Sequence, residues 1–519
     1  MEFPPIDQTE LASSYSVLTE RCLNQSASWL LEFMLSTDQI TTLSFEPQSP
    51  NFLLAQSLFS IGEFNRVEFI LKDNTDQQSL SLKFLSKLFS IQRELEQTVS
   101  TTSSFLGSLS VPDSSHFDRY SSLIKEMNAL ESQFDAINIY IFSAALAKGG
   151  RYKEAVQQLV TSVNLFPCNR SAWNLLLSTL VRFDNAYIDD ILLVLPNHWT
   201  RLFFMVDLFA EIQKNRESLH YLQILLEKLS IPRTSSVIAL QAKVYYHKRD
   251  FDHAQKLFEE LRKVDPYHFE TMELYSNLLF VKEDVAGLSE LSQALSSIDK
   301  CRPETLTVSG NFYGINGKHD EAIYNFSSAL CADSSFTFAW TLIGHEFVEL
   351  ENVSAAMASY SRAYESNPHD FRAIYGLGRV YEMSKMPYHA ALYYRNAVIV
   401  NPNDWRMWIA LGEIYDELFE NDNAMVCYKK AVRLPDCDSI IYYKLGLNFY
   451  NRDEEERAAF CFDKFINNSD KPKEVKDAMM KLQQYYIHID DKEKIEELNN
   501  RQNTYSQSFS ETENSSSLM

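Results

Sequence analysis

A glycine followed three residues later by an aromatic returns every 34 residues along the second half of this chain. Gly310, Gly344, Gly378, Gly412 and Gly446 are spaced without one insertion, and Tyr313, Phe347, Tyr381, Tyr415 and Phe449 follow them. Further along each period stand Ala322, Ala356, Ala390, Ala424 and Ala458, then Phe326, Tyr360, Tyr394, Tyr428 and Phe462. Ala329, Ala363, Ala397 and Ala431 come next, and Pro368 and Pro402 close two of the periods. A fixed period of this length means one small unit stacked on copies of itself, because a single unit cannot bury its own apolar face.

With each glycine at position 8, the frame has the tetratricopeptide pattern: a bulky residue at 4, Gly at 8, an aromatic at 11, Ala at 20, an aromatic at 24, Ala at 27 and Pro at 32. Positions 4, 7, 8 and 11 share one face of a first helix, and 20, 24 and 27 share a face of a second. Two helices approach closely only where the contact is small, which is what Gly at 8 and Ala at 20 and 27 supply. Trp340 and Trp408 occupy position 4, and Pro387 suits the first turn of a second helix. The fold class is therefore all-α, a tetratricopeptide-repeat superhelix (α-solenoid) of antiparallel helix pairs.

The frame extends backwards through Ser276 and Ala242, which gives seven in-phase units over 235–470. Upstream, 121–234 reads as earlier repeats whose spacing slips around "DNAYIDDILLVLPNHW", and 1–95 as an N-terminal helical cap with the first repeats. Residues 96–120 are Ser/Thr-rich and read as a mobile insertion. Residues 471–500 read as C-terminal capping helices, and 501–519 as a polar, disordered tail.

Composition narrows the function classes. The chain of 519 residues is 45% hydrophobic and 13% aromatic, enough for a large core. A net charge of −22 with no Lys/Arg cluster speaks against nucleic acid. The acidity serves solubility, or a groove for a basic peptide. Seven scattered cysteines without a CxxC suggest neither a disulfide framework nor a zinc site. The acidic start "MEFPPIDQTE" is no signal peptide, and no apolar run reaches a membrane span. A reducing compartment, cytosol or nucleus, follows.

Catalytic motifs fail on inspection. "YGLGRVY" imitates a dinucleotide fingerprint, but Tyr381 replaces the third glycine and no strand precedes it. "GINGKH" has the wrong spacing for a phosphate loop. His247 and His253 flank a helix–helix turn and read as surface histidines rather than metal ligands. No nucleophile elbow or zinc-protease motif occurs. The chain reads as a non-enzyme with no cofactor and no metal.

Certain stretches exceed the generic repeat. "LRKVDPY", "GNFYGINGKHDEAIYNFSSAL", "AWTLIGHEFVELENVSAAMASYSRA" and "YGLGRVYEMSKMPYHAALYYRNA" resemble the family of subunit eight of the anaphase-promoting complex. The likeness is close over 237–418, fainter over 52–229, and fades after about residue 436. It implies a non-catalytic scaffold of a nuclear and cytoplasmic cell-cycle ubiquitin ligase. It further implies a homodimer through the N-terminal repeats, with the C-terminal repeats holding other subunits and the basic N-terminal motif of an activator protein. Large N-terminal residues such as Trp29, Phe33, Phe203 and Phe204 are then expected on a second surface. Two other classes compete. A chaperone adaptor needs Lys at position 5 beside Asn at position 9, yet Glu273 and Thr307 stand there. The helical half of a glycosyltransferase lacks its catalytic half.

In this repeat class the first helix of each pair lines the concave wall, and positions 2, 5, 9 and 12 face away from the core. Position 9 holds Asn277, Asn311, His345, Arg379 and Glu413; position 5 holds Thr341, Tyr375 and Ile409; position 12 holds Glu382 and Asp416. Glu346 falls at the rim of this row. A polar, partly acidic wall with an exposed Tyr375 suits an extended peptide carrying Arg, since carboxylates pair with guanidinium through two parallel hydrogen bonds. A merely solvated helix face is the alternative.

Overall fold

The computed structural model describes residues 8–36, 50–101, 114–228, 233–333, 336, 338–434, 437–468, 472–489, 494, 495 and 498. Among these residues there are 27 α-helices and no strand. The seven in-phase units are pairs such as Pro303–Ile315 with His319–Ala332, and Phe371–Met383 with Pro387–Val400. Pro303 and Pro387 each open a helix, where the missing N–H costs nothing. Among the described residues no helix is long and apolar enough to cross a membrane.

The packing follows the frame. A Cβ on Gly378, Gly412 or Gly446 would lie 2.5, 2.6 or 2.7 Å from the ring at position 24 of its own repeat, Tyr394, Tyr428 or Phe462. Gly310 stands in the same relation to Phe326. These rings and the position-20 alanines are buried. The position-11 aromatics are less uniform: Phe347 and Phe449 are buried, while Tyr313, Tyr381 and Tyr415 are half-buried. Tyr381 stacks on Tyr393 and His389, each with ring centroids 5.3 Å apart.

A further period lies in the turns. Arg249, Glu283, Gly317, Glu351, Lys385, Phe419 and Asp453, all at position 15, carry positive φ between 56° and 71°. Such a left-handed residue ends the first helix and lets the chain reverse. Only Gly317 adopts it without a Cβ penalty.

The chain divides into two compact units: Met1–Asn352 with Arg362–Asp370, and Val353–Ser361 with Phe371–Met519. Val237, Leu240 and Val244 share one apolar cluster with Trp199, Leu202 and Val206, so the slip in repeat spacing does not interrupt the core. In the second unit Tyr428, Leu445, Phe462, Phe465 and Leu482 form a continuous cluster, with helix Pro472–Ile489 covering the last repeat.

The expectation for the large N-terminal residues is corrected. Trp29, Phe203 and Phe204 are buried within their own unit. Trp29 stacks on Trp199 at 5.6 Å and meets Phe203 edge-on at 5.5 Å, and Trp173 lies 5.1 Å from Phe204. Where Gly and Ala are missing at the contact, rings fill the wider gap. The side chain of Phe33 lies outside the described residues.

The 96–120 segment also differs from expectation at its ends. One helix runs on to Thr101 and another starts at Ser114; residues 102–113 lie outside the described residues, as does the tail 501–519.

Gly378→Leu should drive a branched side chain into the Tyr394 ring and cost about 1–3 kcal/mol or more. Chemical denaturation should show the loss, with amide exchange rising in the repeats on either side. An unchanged denaturation curve would mean that the glycine does not sit under the ring.

Candidate peptide-binding surfaces

In the first unit, Asn277 and Asn311 come together. Asn311 Nδ2 donates to Asn277 Oδ1 at 2.7 Å and to Ser276 Oγ at 2.8 Å. Both asparagines are almost wholly buried, and Asn277 Nδ2 is buried without a hydrogen-bond partner. Thr341 is fully buried and donates from Oγ1 to Asp370 Oδ2 at 3.0 Å. It therefore offers no hydroxyl to a ligand. His345 is exposed.

Glu346 is not at a rim. It is buried, and its Oε2 pairs with His319 Nδ1 at 2.7 Å. Burial pushes its carboxyl up, and the His319 partnership opposes that rise. Gly314 makes room for it, since a Cβ there would lie 2.7 Å from Glu346 Oε1. Glu346 thus joins two repeats and is withdrawn from the binding surface.

The sequence reading missed the acidic side chains beside the asparagines. Burial pushes Glu273 up to about 7, and the charges of Glu304 and Glu270 add to the rise, while Lys243 opposes it. Glu304 Oε2 is buried without a hydrogen-bond partner. Burial alone would lower the Lys243 ammonium, but Asp207 at 3.1 Å and Glu211 at 2.9 Å outweigh it and raise it. Position 5 of the frame already held Glu273, and position 2 held Glu270 and Glu304, so the signal was present in the repeat. The result is a patch with more carboxylate than cation, plus an unused amide N–H.

In the second unit, Tyr375, Arg379, Glu382 and Glu413 share one electrostatic neighbourhood. Arg379 and Glu382 are exposed, while Tyr375 is half-buried with its ring 5.2 Å from Tyr394, so the expectation of an exposed tyrosine is corrected. Position 5 is close enough to the core for a large ring to fold inward. Glu413 pairs with Lys444 at 3.1 Å.

The carboxylates at position 12 are held from beneath. Tyr394 Oη donates to Glu382 Oε2 at 2.6 Å, and Tyr428 Oη donates to Asp416 Oδ2 at 2.7 Å. Asn448 Nδ2 also donates to Asp416, at 3.1 Å. Burial pushes Asp416 up, and these two donors oppose the rise. Each tyrosine is the same ring that covers the position-8 glycine. Where position 24 is Phe326 or Phe462, position 12 is Gly314 or Tyr450 and no carboxylate needs the hydroxyl.

Comparison with known proteins adds a family to this geometry. The sequence profile of "Anaphase promoting complex subunit 8 / Cdc23" matches residues 37–239, and tetratricopeptide-repeat profiles match 341–385 and 406–435. Anaphase-promoting complex subunit 8 of Arabidopsis thaliana is 32% identical over 68% of this chain and 60% of its own length. The CDC23 subunit of Saccharomyces cerevisiae is 28% identical over 59% of this chain and 58% of its own. The human cell division cycle protein 23 homolog is 32% identical over 54% and 47%. The chain thus spans three fifths or less of the length of these curated relatives. Among solved structures, the Cut9–Hcn1 hetero-tetramer of the anaphase-promoting complex aligns over 84% of this chain and 83% of its own, with TM-score 0.64 at 16% identity. That likeness shows the tetratricopeptide fold.

Glu273 offers a test of the acidic patch. Its folded-state value lies above its ordinary 4.5, so the ionised form is disfavoured in the folded chain and stability falls as pH rises from about 4.5 through about 7. The ceiling is about 3 kcal/mol, trimmed by its residual solvent contact to about 1–2 kcal/mol. Glu273→Gln should therefore stabilise the chain at pH 8 and leave it unchanged near pH 4.5. A pH-independent difference in denaturation midpoint would remove the burial argument.

Proposed function

The chain belongs to the family of anaphase-promoting complex subunit 8, and from that premise we propose that it is a non-catalytic scaffold of that ubiquitin ligase. In this reading it works in the nucleus and cytoplasm as a homodimer. Its repeats hold other subunits and the basic N-terminal motif of an activator protein. Ubiquitin transfer falls to other chains of the complex. No nucleic acid and no membrane enters the reading.

The observation that carries the binding half is the row of carboxylates along first helices. In the second unit, Glu382, Glu413 and Asp416 recur at positions 9 and 12, and two of them are fixed by core tyrosines. In the first unit, Glu273 and Glu304 share one electrostatic neighbourhood, and Asn277, one helical turn after Glu273, has an unused amide N–H. Prepositioned acceptors suit the guanidinium of an arginine, which donates through two parallel N–H groups. The same acidity disfavours a carboxylate-clamping chaperone adaptor.

Two residues of the second unit make the test clean. Glu382→Gln keeps an acceptor for the Tyr394 hydroxyl, and Glu413→Gln removes only a half-exposed pair with Lys444. The double variant should bind an Arg-containing activator peptide about tenfold or more weakly in fluorescence anisotropy, since hydrogen bonds to charged groups are worth about 1.5–3 kcal/mol. Its thermal midpoint should stay where it was. Unaltered peptide affinity would refute the groove while leaving the family intact.

Self-association is tested separately. With Trp29 and Phe203 occupied internally, the apolar groups of the N-terminal repeats left outward include Ile61 at 73% and Phe69 at 80% exposure. Light scattering of the purified chain should give about twice 60.0 kDa. Phe69→Asp should shift the species toward monomer. A monomer at micromolar concentration before any substitution would overturn the dimer.

A further inference from the structure

Glu10, Cys168 and His198 come from three distant parts of the sequence and converge in the N-terminal unit. Glu10 lies in the first turn of helix Gln8–Glu20. Cys168 sits in the turn between helices Tyr152–Leu165 and Arg170–Leu180, and His198 in the turn before helix Thr200–Glu211. One ligand atom of each lies within 4.8 Å of the other two. Glu10 Oε1 is 3.4 Å from His198 Nε2 and 3.9 Å from Cys168 Sγ.

These separations approach the edges of a metal polyhedron. A tetrahedral zinc with O and N ligands at about 2.0–2.1 Å and S at about 2.3 Å has edges of about 3.3–3.6 Å. The Glu10–His198 edge already matches and the Glu10–Cys168 edge is a few tenths of an ångström long, while the His198–Cys168 edge lies within 4.8 Å and has to shorten as well. The Cys168 thiol donates weakly to Glu10 at 3.9 Å, whereas 3.4 Å is long for a hydrogen bond between His198 Nε2 and the same carboxylate.

The histidine is held by its neighbour. His198 Nδ1 lies 2.7 Å from Thr200 Oγ1 and accepts from the Thr200 backbone N–H at 3.3 Å, which fixes the ring with Nε2 toward Glu10. In the neutral ring this puts the proton on Nε2, so a cation bound there requires the proton to move to Nδ1, with Thr200 Oγ1 as its acceptor. Nε2 is buried and makes no hydrogen bond, on a residue only 8% exposed. Cys168 is 1% exposed, whereas the Glu10 side chain keeps 41% of its surface. The site is therefore walled on the sulfur and nitrogen side and open to water on the oxygen side.

A nucleophilic role does not fit the thiol. Burial pushes Cys168 up to about 12, so it stays protonated, and no substrate reaches an atom so enclosed. A cation changes that balance by displacing the proton, with one S–H bond broken, one metal–sulfur bond formed and one H⁺ released to solvent. Imidazole and thiolate together select zinc-class ions over magnesium or calcium.

We propose that Glu10, Cys168 and His198 form a zinc-class metal site, completed by one water, that staples the N-terminal helix to two later turns. A weak thiol–carboxylate hydrogen bond between the first helix and the Cys168 turn would give way to a coordinate link. The site lies apart from the carboxylate rows and does not depend on the peptide-binding reading.

Cobalt(II) is the probe. The full-length chain, freed of metal by a chelator and dialysed, should develop a sulfur-to-cobalt charge-transfer band and tetrahedral visible bands that saturate at one equivalent. Zinc should bleach them and raise the thermal midpoint. Cys168→Ser should abolish the charge-transfer band, and His198→Gln should weaken cobalt binding by at least about tenfold. The Cys301→Ser, Cys331→Ser variant removes two exposed thiols and should keep every band. Absence of a one-equivalent band in the unsubstituted chain, or its survival in Cys168→Ser, would overturn the site. The first of these outcomes needs no variant to fold.

Discussion

An aromatic ring lying across a residue with no side chain sets the distance between the two helices of each regular repeat. Tyr394 over Gly378, Tyr428 over Gly412 and Phe462 over Gly446 leave no space for even a methyl group. Burying such a ring contributes roughly 1.5–3 kcal/mol per repeat, and the contact recurs with the period of the chain. The alanines at position 20 and the left-handed turn at position 15 depend on that distance. A wider pair would leave the alanines unpacked and move the turn out of reach of both helix ends.

The same ring reaches the proposed binding face. In two repeats its hydroxyl emerges under Glu382 or Asp416 and holds the carboxylate in place. Core and surface are therefore linked through one side chain: the ring fixes the helix pair and its polar tip fixes an acceptor. The first unit instead keeps polar contacts inside, through an amide hydrogen bond from Asn311 to Asn277 between repeats and a His319–Glu346 contact.

Much of this architecture was legible because a small residue and a ring must recur in phase for helices to approach closely, and that requirement is written directly as spacing. The depth of polar residues was not legible. Periodicity assigns Asn277, Thr341 and Glu346 to a face, but their burial comes from partners in neighbouring repeats and turns, such as Asn311, Asp370 and His319. The turn geometry was hidden for another reason. Six of the seven in-phase turns use Arg, Glu, Lys, Phe or Asp at positive φ, and only Gly317 signals the conformation by its identity. In the N-terminal repeats the regular small residues are absent, and Trp29, Trp173 and Phe204 read as surplus hydrophobicity until their mutual packing is seen.

The tyrosine hydroxyl beneath Glu382 has a consequence for how such a chain can diverge. A change at position 24 from Tyr to Phe conserves the ring and the helix spacing, yet it releases the acceptor above. A change at position 12 leaves a buried hydroxyl to be satisfied some other way. The pairing is not uniform, since Tyr360 at position 24 stands with Val348 at position 12. Where the tyrosine does hold a carboxylate, a change of charge at the face has to be answered in the core. The repeats with Phe326 opposite Gly314 and Phe462 opposite Tyr450 have neither hydroxyl nor carboxylate at these ring and face positions, so in these four repeats the charge at the face and the polarity of the core ring go together.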